Sequence, residues 1–253
     1  MQPKYRPLTK RELESIRISG KILSAAMTSV VEAVRPGVSA QELNRIAEAA
    51  IREHQGEPSF KGYRGFPASL CVSRNDEVVH GIPREGVRLQ SGDIVGLDLG
   101  VVFKGLYTDM ATSVPVGKVS STAQRLLDVT RASLEAGLEV VRNGNHTGDI
   151  GAAIQAVVAA AGFQVVRDLV GHGVGRDVHE DPAIPNFGEP GTGSLLRSGQ
   201  AIAIEPMVTA GSFAIKTDPD GWTVRTSDGG LAAHEERTVL VTDDGYELLT
   251  EFY

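Results

Sequence analysis

Five residues of this 253-residue chain have metal-ligating side chains in unusual places. Asp98 sits inside the apolar run Ile94-Val-Gly-Leu-Asp-Leu-Gly-Val-Val, and Asp109 follows eleven residues later. Glu205 interrupts Ala201-Ile-Ala-Ile-Glu-Pro-Met-Val, and Glu236 stands just ahead of Thr238-Val-Leu-Val-Thr. His172 lies between glycines in Val170-Gly-His-Gly-Val-Gly. A carboxylate in a buried strand is costly unless it is paired or binds a metal. For any one of them a local hydrogen bond or salt bridge would suffice. For the set it does not, because no Lys or Arg recurs inside these strands to pair all four. Two like charges about 4 Å apart repel by roughly 4 kcal/mol at an effective dielectric near 20, so convergence demands cations or protons. Four carboxylates and a neutral imidazole carry −4, and two divalent ions carry +4. The expectation is a two-metal site with some carboxylates bridging. Oxygen-rich ligation with one histidine suits Mn, Fe, Co or Zn, and the residues do not choose among them. Such ions lower the pKa of a bridging water and polarise a carbonyl. A free N-terminal amine binding the same metals would make the site an exopeptidase.

Two more histidines stand near this set. His80 opens the turn His80-Gly-Ile-Pro, and His179 follows His172 by seven residues across a glycine-rich bend. A turn histidine alone is commonly a solvated or capping residue. Beside a metal cluster it becomes a candidate for holding substrate or a tetrahedral intermediate.

The elements that must position these groups are legible from capping signals and periodicity. Thr9-x-x-Glu12 and Ser39-x-x-Glu42 read as capping boxes. Apolar residues at helical spacing follow each, from Leu13 to Val34 and from Leu43 to Ala50. Asp93–Val102 and Leu106–Val114 read as two strands of a hairpin around Lys104-Gly105. Ser121-x-x-Gln124 caps a third helix running to about Val141, and Ile150 to Ala161 marks a fourth. Strand and turn character resumes at Val165. The order helix, helix, strands therefore occurs twice. Val34-Arg35-x-Gly37 with Glu42-Leu43 recurs as Val141-Arg142-x-Gly144 with Asp149-Ile150, each pair 107 residues apart. Together these predict a duplicated α+β half.

Composition is that of a globular chain, with 41% apolar and 23% charged residues. The net charge of −7 gives no basic stripe and argues against nucleic acid as a partner. One cysteine, Cys71, excludes an intramolecular disulfide and a cysteine-based zinc site, and fits a reducing cytoplasm. Met1–Lys10 has no signal-peptide core, and Ile150–Phe163 is too short and too broken for a membrane span. A single domain, 1–253 with a short N-terminal segment 1–8, is expected.

Across roughly Leu8 to Thr250 the chain resembles type I methionine aminopeptidases. The matching stretches run from Gly62-Tyr-Arg-Gly-Phe-Pro-Ala-Ser-Leu-Cys through Asn75-Asp-Glu-Val-Val-His-Gly-Ile-Pro, Gly92-Asp-Ile-Val-Gly-Leu-Asp and Tyr107-Thr-Asp. They continue with Gly171-His-Gly-Val-Gly-Arg-Asp-Val-His-Glu-Asp-Pro, Ile204-Glu-Pro-Met, Asp220-Gly-Trp and Glu236-Arg-Thr. Several independent motifs in order make the likeness specific. It implies a pita-bread fold, pseudo-twofold α+β halves around a curved antiparallel sheet. It implies two divalent ions held by Asp98, Asp109, His172, Glu205 and Glu236, with Asp109 and Glu236 bridging. Glu205 then doubles as proton acceptor, and His80 and His179 contact substrate. Tyr63, Phe66, Cys71 and Trp222 line a methionine pocket. The implied activity is removal of the initiator methionine from nascent polypeptides when the next residue is small, by a cytoplasmic monomer, with ribosome association left open.

Two positions depart from the family pattern. Val178 stands where an aromatic is frequent, which predicts a thinner pocket wall, and Phe66 replaces a frequent Tyr. Glu235 is expected at the surface, since alternation points it away from Glu236. His54, His146 and His234 lie outside the motifs and carry no expected role. The rival readings are an Xaa-Pro aminopeptidase or dipeptidase of the same fold, and a metal-free binding module. Against the first, Asp98 comes too early to leave room for the separate N-terminal domain those enzymes usually carry. Against the second, all five ligand positions are filled. The chain carries no N-terminal extension with paired cysteines and lacks the long late insertion of the type II enzymes.

Overall fold

The computed structural model describes residues 6–251. Residues 1–5, which belong to the expected segment 1–8, and residues 252–253 lie outside the described residues. Among the described residues four α-helices form close to where capping signals, or for the fourth periodicity alone, place them. Helix α1 (Lys10–Glu32) starts with the full capping box: the Thr9 hydroxyl accepts the Glu12 N–H, and the Glu12 carboxylate accepts the Thr9 N–H. Its Ile16, Leu23, Met27 and Val30 face is fully buried. Helix α2 (Ala40–Glu53) is capped by Ser39. Helix α3 (Ser121–Glu139) begins one residue from expectation. Ser120, not Ser121, accepts the N–H of Ala123, because the run Ser120-Ser-Thr offers adjacent caps. Helix α4 (Thr147–Ala160) opens with the Asp149 carboxylate accepting the His146 N–H at 2.6 Å.

Nine antiparallel strands make the main sheet. Along it, Glu57–Pro58 pairs with Ile94–Phe103, which pairs with Leu106–Pro115. That strand meets Glu236–Val241, followed by Ala201–Ile204, Gly171–Gly173 and Glu180–Ile184. Leu70–Arg74 adds to Ile94–Phe103, and Tyr246–Leu248 adds to Glu236–Val241. The expected hairpin is correct to within a residue at each strand end. Lys104 (φ 49°) and Gly105 (φ 77°) both take the left-handed conformation that a two-residue turn between twisted strands requires. A core containing Leu23, Leu43, Leu97 and Leu99 binds α1 and α2 to this hairpin. A second core containing Leu126, Ile150, Ile154, Ile202 and Val239 binds α3 and α4 to the later strands.

The duplication extends well beyond the sequence echo. Gly37 (φ 90°) donates its N–H to Leu89 O at 2.8 Å, and Gly144 (φ 91°) donates to Leu196 O at 3.0 Å. Leu89 N–H returns to Val38 O at 2.9 Å, and Leu196 N–H to Asn145 O at 2.8 Å. The isolated bridges Ser39–Arg88 and His146–Leu195 correspond in the same way. Every corresponding residue is displaced by the same 107 positions, and so is Glu205 from Asp98. The halves meet at a short seam of two registered pairs, Glu236 with Ala111 and Arg237 with Met110. Just beyond it the Thr238 hydroxyl stands in for ladder bonds, accepting the Asp109 N–H at 2.9 Å and donating to the Asp109 carbonyl at 2.7 Å.

Gly20 shows how tightly α1 is seated. A Cβ there would lie 2.0 Å from the carbonyl oxygen of Leu249. Alanine in mid-helix ordinarily stabilises by about 0.5–1 kcal/mol over glycine, but a backbone oxygen cannot rotate away. Gly20→Ala is therefore expected to be net destabilising by about 1–3 kcal/mol, in the range of overpacking changes. The urea midpoint should fall; an unchanged or higher midpoint would show that the C-terminal segment yields freely.

Candidate metal centre

Strand register puts the five residues on one face of the sheet. Asp98 lies directly opposite Ala111, and Ala111 directly opposite Glu236. Asp109 is two residues from Ala111 and so shares its face. On the other half, His172 is opposite Ala203, and Ala203 is opposite Thr238, which shares the face of Glu236. Glu205 follows Ala203 by two residues. Ala111 thus occupies the middle of the cluster with only a methyl group between two carboxylates.

The side chains converge. His172 Nε2 is 3.5 Å from Glu205 Oε1 and 4.0 Å from both Asp109 Oδ2 and Glu236 Oε1. Ligand atoms of Asp109, His172 and Glu236 all lie within 4.8 Å of one another, a spacing that one ion could bridge. His172 Nδ1 donates to the Gly173 carbonyl at 2.9 Å, which fixes the tautomer and leaves Nε2 with its lone pair facing the carboxylates. Asp98 Oδ1 and Glu236 Oε1 are buried with no hydrogen-bond partner. Orphaned carboxylate oxygens in a buried cluster are what a divalent cation would satisfy, so the donor set fits the expected metals.

Electrostatics point the same way. Burial lifts Asp98 to about 7, with Glu205 adding to the rise and His234 opposing it. Burial, then Asp98 and Glu205, hold Asp109 well above the usual carboxylate range. Burial, then Asp109 and Glu205, do the same to Glu236. For Glu205 burial pushes upward but is outweighed by the imidazoles of His234, 3.5 Å from its Oε2, and His172, so its pKa falls.

A cavity of about 310 Å³ opens onto the cluster. Its walls include Tyr63, Phe66, Cys71 and Trp222, as expected, together with His80 and His179. The Tyr63 hydroxyl is 3.0 Å from His179 Nδ1, and the His179 ring lies 4.3 Å from that of His172. Partial burial in the cleft, then the neighbouring His172, lower His179 to about 4, and burial lowers His80, so both are neutral at pH 7. His80 carries φ 58°, an uncommon conformation for a non-glycine residue. Its ring sits edge-on to Trp222, which in turn meets Phe66 edge-on at 5.1 Å. Burial, then Asp98, raise the Cys71 thiol, leaving it protonated in the wall.

Sequence reasoning missed several neighbours. Phe60 lines the cavity and clusters with buried Val178, which puts an aromatic ring beside that position. The available signal was Gly100, whose absent side chain leaves space for that ring; a Cβ there would lie 2.8 Å from it. His234, given no role, is buried with Nε2 3.5 Å from Glu205 Oε2. Its spacing of two from Glu236 was the clue. Glu235 does point away from Glu236, but it is buried, not at the surface. It accepts from Thr112 Oγ1 at 3.0 Å and Ser113 N at 3.2 Å, because the reverse face of the sheet is covered. A strand arginine also exists, contrary to expectation. Arg237 is buried on that reverse face, 3.6 Å from Glu235, and donates to the Ala111 and Glu236 carbonyls. It neutralises Glu235 and leaves the four clustered carboxylates without a cationic side chain of their own. His54 ends α2 and His146 precedes α4, both outside the site.

Residues 14–243 match metallopeptidase family M24. The chain belongs to this family. It is 49% identical over 241 residues to the methionine aminopeptidase of Clostridium perfringens, covering 95% of this chain and 96% of that one. It is 46% identical to methionine aminopeptidase 1 of Bacillus subtilis, covering 96% and 97%. The crystal structure of methionine aminopeptidase from Thermotoga maritima superposes with a TM-score of 0.96 at 42% identity, over 97% of this chain and 99% of that one. The prolidase of Pyrococcus furiosus, at 21% identity and a TM-score of 0.77, shares the fold alone, and this chain spans 65% of its length. The architecture is the pita-bread fold of the M24 peptidases.

The raised carboxylates set a pH dependence for the metal-free protein. Asp98, Asp109 and Glu236 bind protons more tightly folded than unfolded. Above pH ~4 the unfolded chain releases protons that the fold retains, so stability falls as pH rises. The melting temperature of chelator-treated protein should fall from pH 5 to pH 8, and a saturating divalent ion should flatten that slope. A rise with pH in the chelated protein would contradict the protonated cluster.

Proposed function

We propose that this chain is a divalent-metal-dependent aminopeptidase that removes an N-terminal methionine from nascent polypeptides when the second residue is small. The observation that carries this reading is a cavity lined by two chemically distinct sets of residues. One set is the carboxylate and histidine cluster; the other is the apolar wall of Tyr63, Phe66, Cys71 and Trp222, joined by Phe60. An unbranched thioether fits the apolar set, and a free amino terminus fits the anionic set.

Asp98, Asp109, His172, Glu205 and Glu236 would hold two ions, with Asp109 and Glu236 shared between them. When bound, such ions activate a water and polarise a carbonyl. Their identity among Co, Mn, Fe and Zn is for metal analysis to assign. Glu205, kept anionic by His234 and His172, is placed to accept a proton from an attacking water. His80 and His179, neutral at the cleft, can donate hydrogen bonds to the scissile carbonyl as charge develops on it. A reducing cytoplasm suits the single cysteine, buried in the cavity wall. Among the described residues no helix is long and apolar enough to cross a membrane. The proposal extends to a cytoplasmic monomer acting at the ribosome.

Met-Gly-initiated peptides should be cleaved and Lys-initiated ones should not. One methylene changes binding by only about 1–3 kcal/mol in an apolar pocket, so norleucine should remain a substrate. Peptide turnover by mass spectrometry checks this, with x-Pro peptides alongside. Equal rates on Met, Leu and Lys, or preference for x-Pro, would overturn the assignment.

Metal holding and substrate contact should separate by substitution. His179→Ala should keep the metal content and fold while kcat drops about 10²–10³-fold, as for loss of one donor to a developing oxyanion. Glu205→Gln should lose turnover and also lower metal content. Metal loss from His179→Ala would make His179 a ligand or a structural support.

A further inference from the structure

Glu12 closes the capping box of α1, yet its carboxylate also reaches across to the bend that carries His179. Arg176, three residues before His179, donates Nε to Glu12 Oε1 at 2.8 Å and Nη2 to Glu12 Oε2 at 2.9 Å. The same guanidinium donates Nη1 to the Arg6 carbonyl at 3.0 Å and Nη2 to the Pro7 carbonyl at 3.1 Å. Glu12 is held from its other side by the Thr9 N–H at 2.7 Å. The two-point geometry suits a planar guanidinium on a carboxylate and not a lysine ammonium. Both side chains are largely shielded, at 30% and 20% exposure, so the pair is not an ordinary surface contact. The hydrogen bond from Arg176, with those from Thr9, lowers Glu12 to about 2, and the charge pair therefore persists at every pH near neutrality.

At Gly173 a Cβ would collide with the Asp181 carbonyl oxygen, so close packing shapes the start of the bend. Its backbone is tied inward by the N–H groups of Arg176 and Asp177, which share Glu180 Oε1 at 2.5 and 2.8 Å, and by Tyr107 N–H on the Gly175 carbonyl at 2.7 Å. Tyr63 holds the His179 ring at one nitrogen. The outward side of the bend is tied to α1 through Arg176. We propose that the Glu12–Arg176 pair is a positioning pair for His179, setting where its imidazole stands over the cleft. This rests on the reading of His179 as a substrate-contacting donor. Neither residue touches substrate; each acts through the bend.

A double-mutant cycle in the metal-loaded full chain tests it. Arg176→Ala should lower kcat about ten- to a hundred-fold, as for a catalytic group displaced by up to an ångström. KM and metal content should change little. In a His179→Ala background the same substitution should cost nothing further, measured in single turnover. Glu12→Gln, which keeps a hydrogen-bonding side chain in the cap, should show a smaller loss with the same non-additivity, and serves if Arg176→Ala folds poorly. Arg176→Lys should not rescue. Equal losses from Arg176→Ala and Glu12→Gln with and without His179 would make the pair a stability feature and overturn the proposal. If His179→Ala alone leaves kcat intact, it is the underlying reading of His179 that fails, and the two failures are distinct.

Discussion

Four carboxylates share one dry face of an antiparallel sheet, and most of the molecule follows from the cost of keeping them there. Asp98, Asp109 and Glu236 are each buried, and two of their oxygens have no protein partner. Without cations the cluster survives by holding protons, which is why burial raises three of the four pKa values. Arg237, the cationic side chain next to Glu236 in its strand, is spent on Glu235 behind the sheet. That separation of faces keeps the front anionic. A positively charged side chain on the same face would satisfy the carboxylates internally and remove the reason for metal to bind.

The duplicated architecture decides how the charge is assembled. The first half contributes Asp98 and Asp109; the second contributes His172, Glu205 and Glu236. They meet across a seam of only two registered pairs, extended by the Thr238 hydroxyl on the Asp109 peptide. Each half has its own core, and a third cluster of Ile16, Leu106, Val174, Ala203, Leu240 and Leu249 packs α1 against the second half. Ions shared by Asp109 and Glu236 would cross-link the halves where the ladder is shortest, coupling metal binding to stability by mass action.

Much of this was legible in the sequence because strand alternation and charge are local signals. A carboxylate inside an apolar run announces a buried site, and capping boxes announce helix starts. The 107-residue echo announced the duplication, although Ser120 and not Ser121 caps α3. What stayed hidden depends on the layer above or below a strand. Alternation correctly turned Glu235 away from Glu236 but could not show that the reverse face is covered. The same gap concealed Arg237, His234 and Phe60, whose neighbours include Ala111, Glu205 and Gly100, which are 126, 29 and 40 positions away. The capping box of Glu12 was readable; its second partner, 164 residues on, was not.

Two adjacent histidines show how partners, not residue type, assign chemistry. The rings of His172 and His179 are 4.3 Å apart, yet their Nδ1 atoms meet opposite chemistry. At His172 the Gly173 carbonyl can only accept, so Nδ1 carries the proton and Nε2 presents a lone pair toward Asp109, Glu205 and Glu236. At His179 the Tyr63 phenol can donate as well as accept, and in the tautomer where it donates, Nδ1 is the acceptor and Nε2 carries the proton. A lone pair is what a cation needs, and an N–H is what a developing oxyanion needs. One imidazole thus suits the metal and the next suits the substrate. The residues that decide this are a backbone carbonyl and a tyrosine, the second of which also forms part of the wall that would receive the methionine side chain.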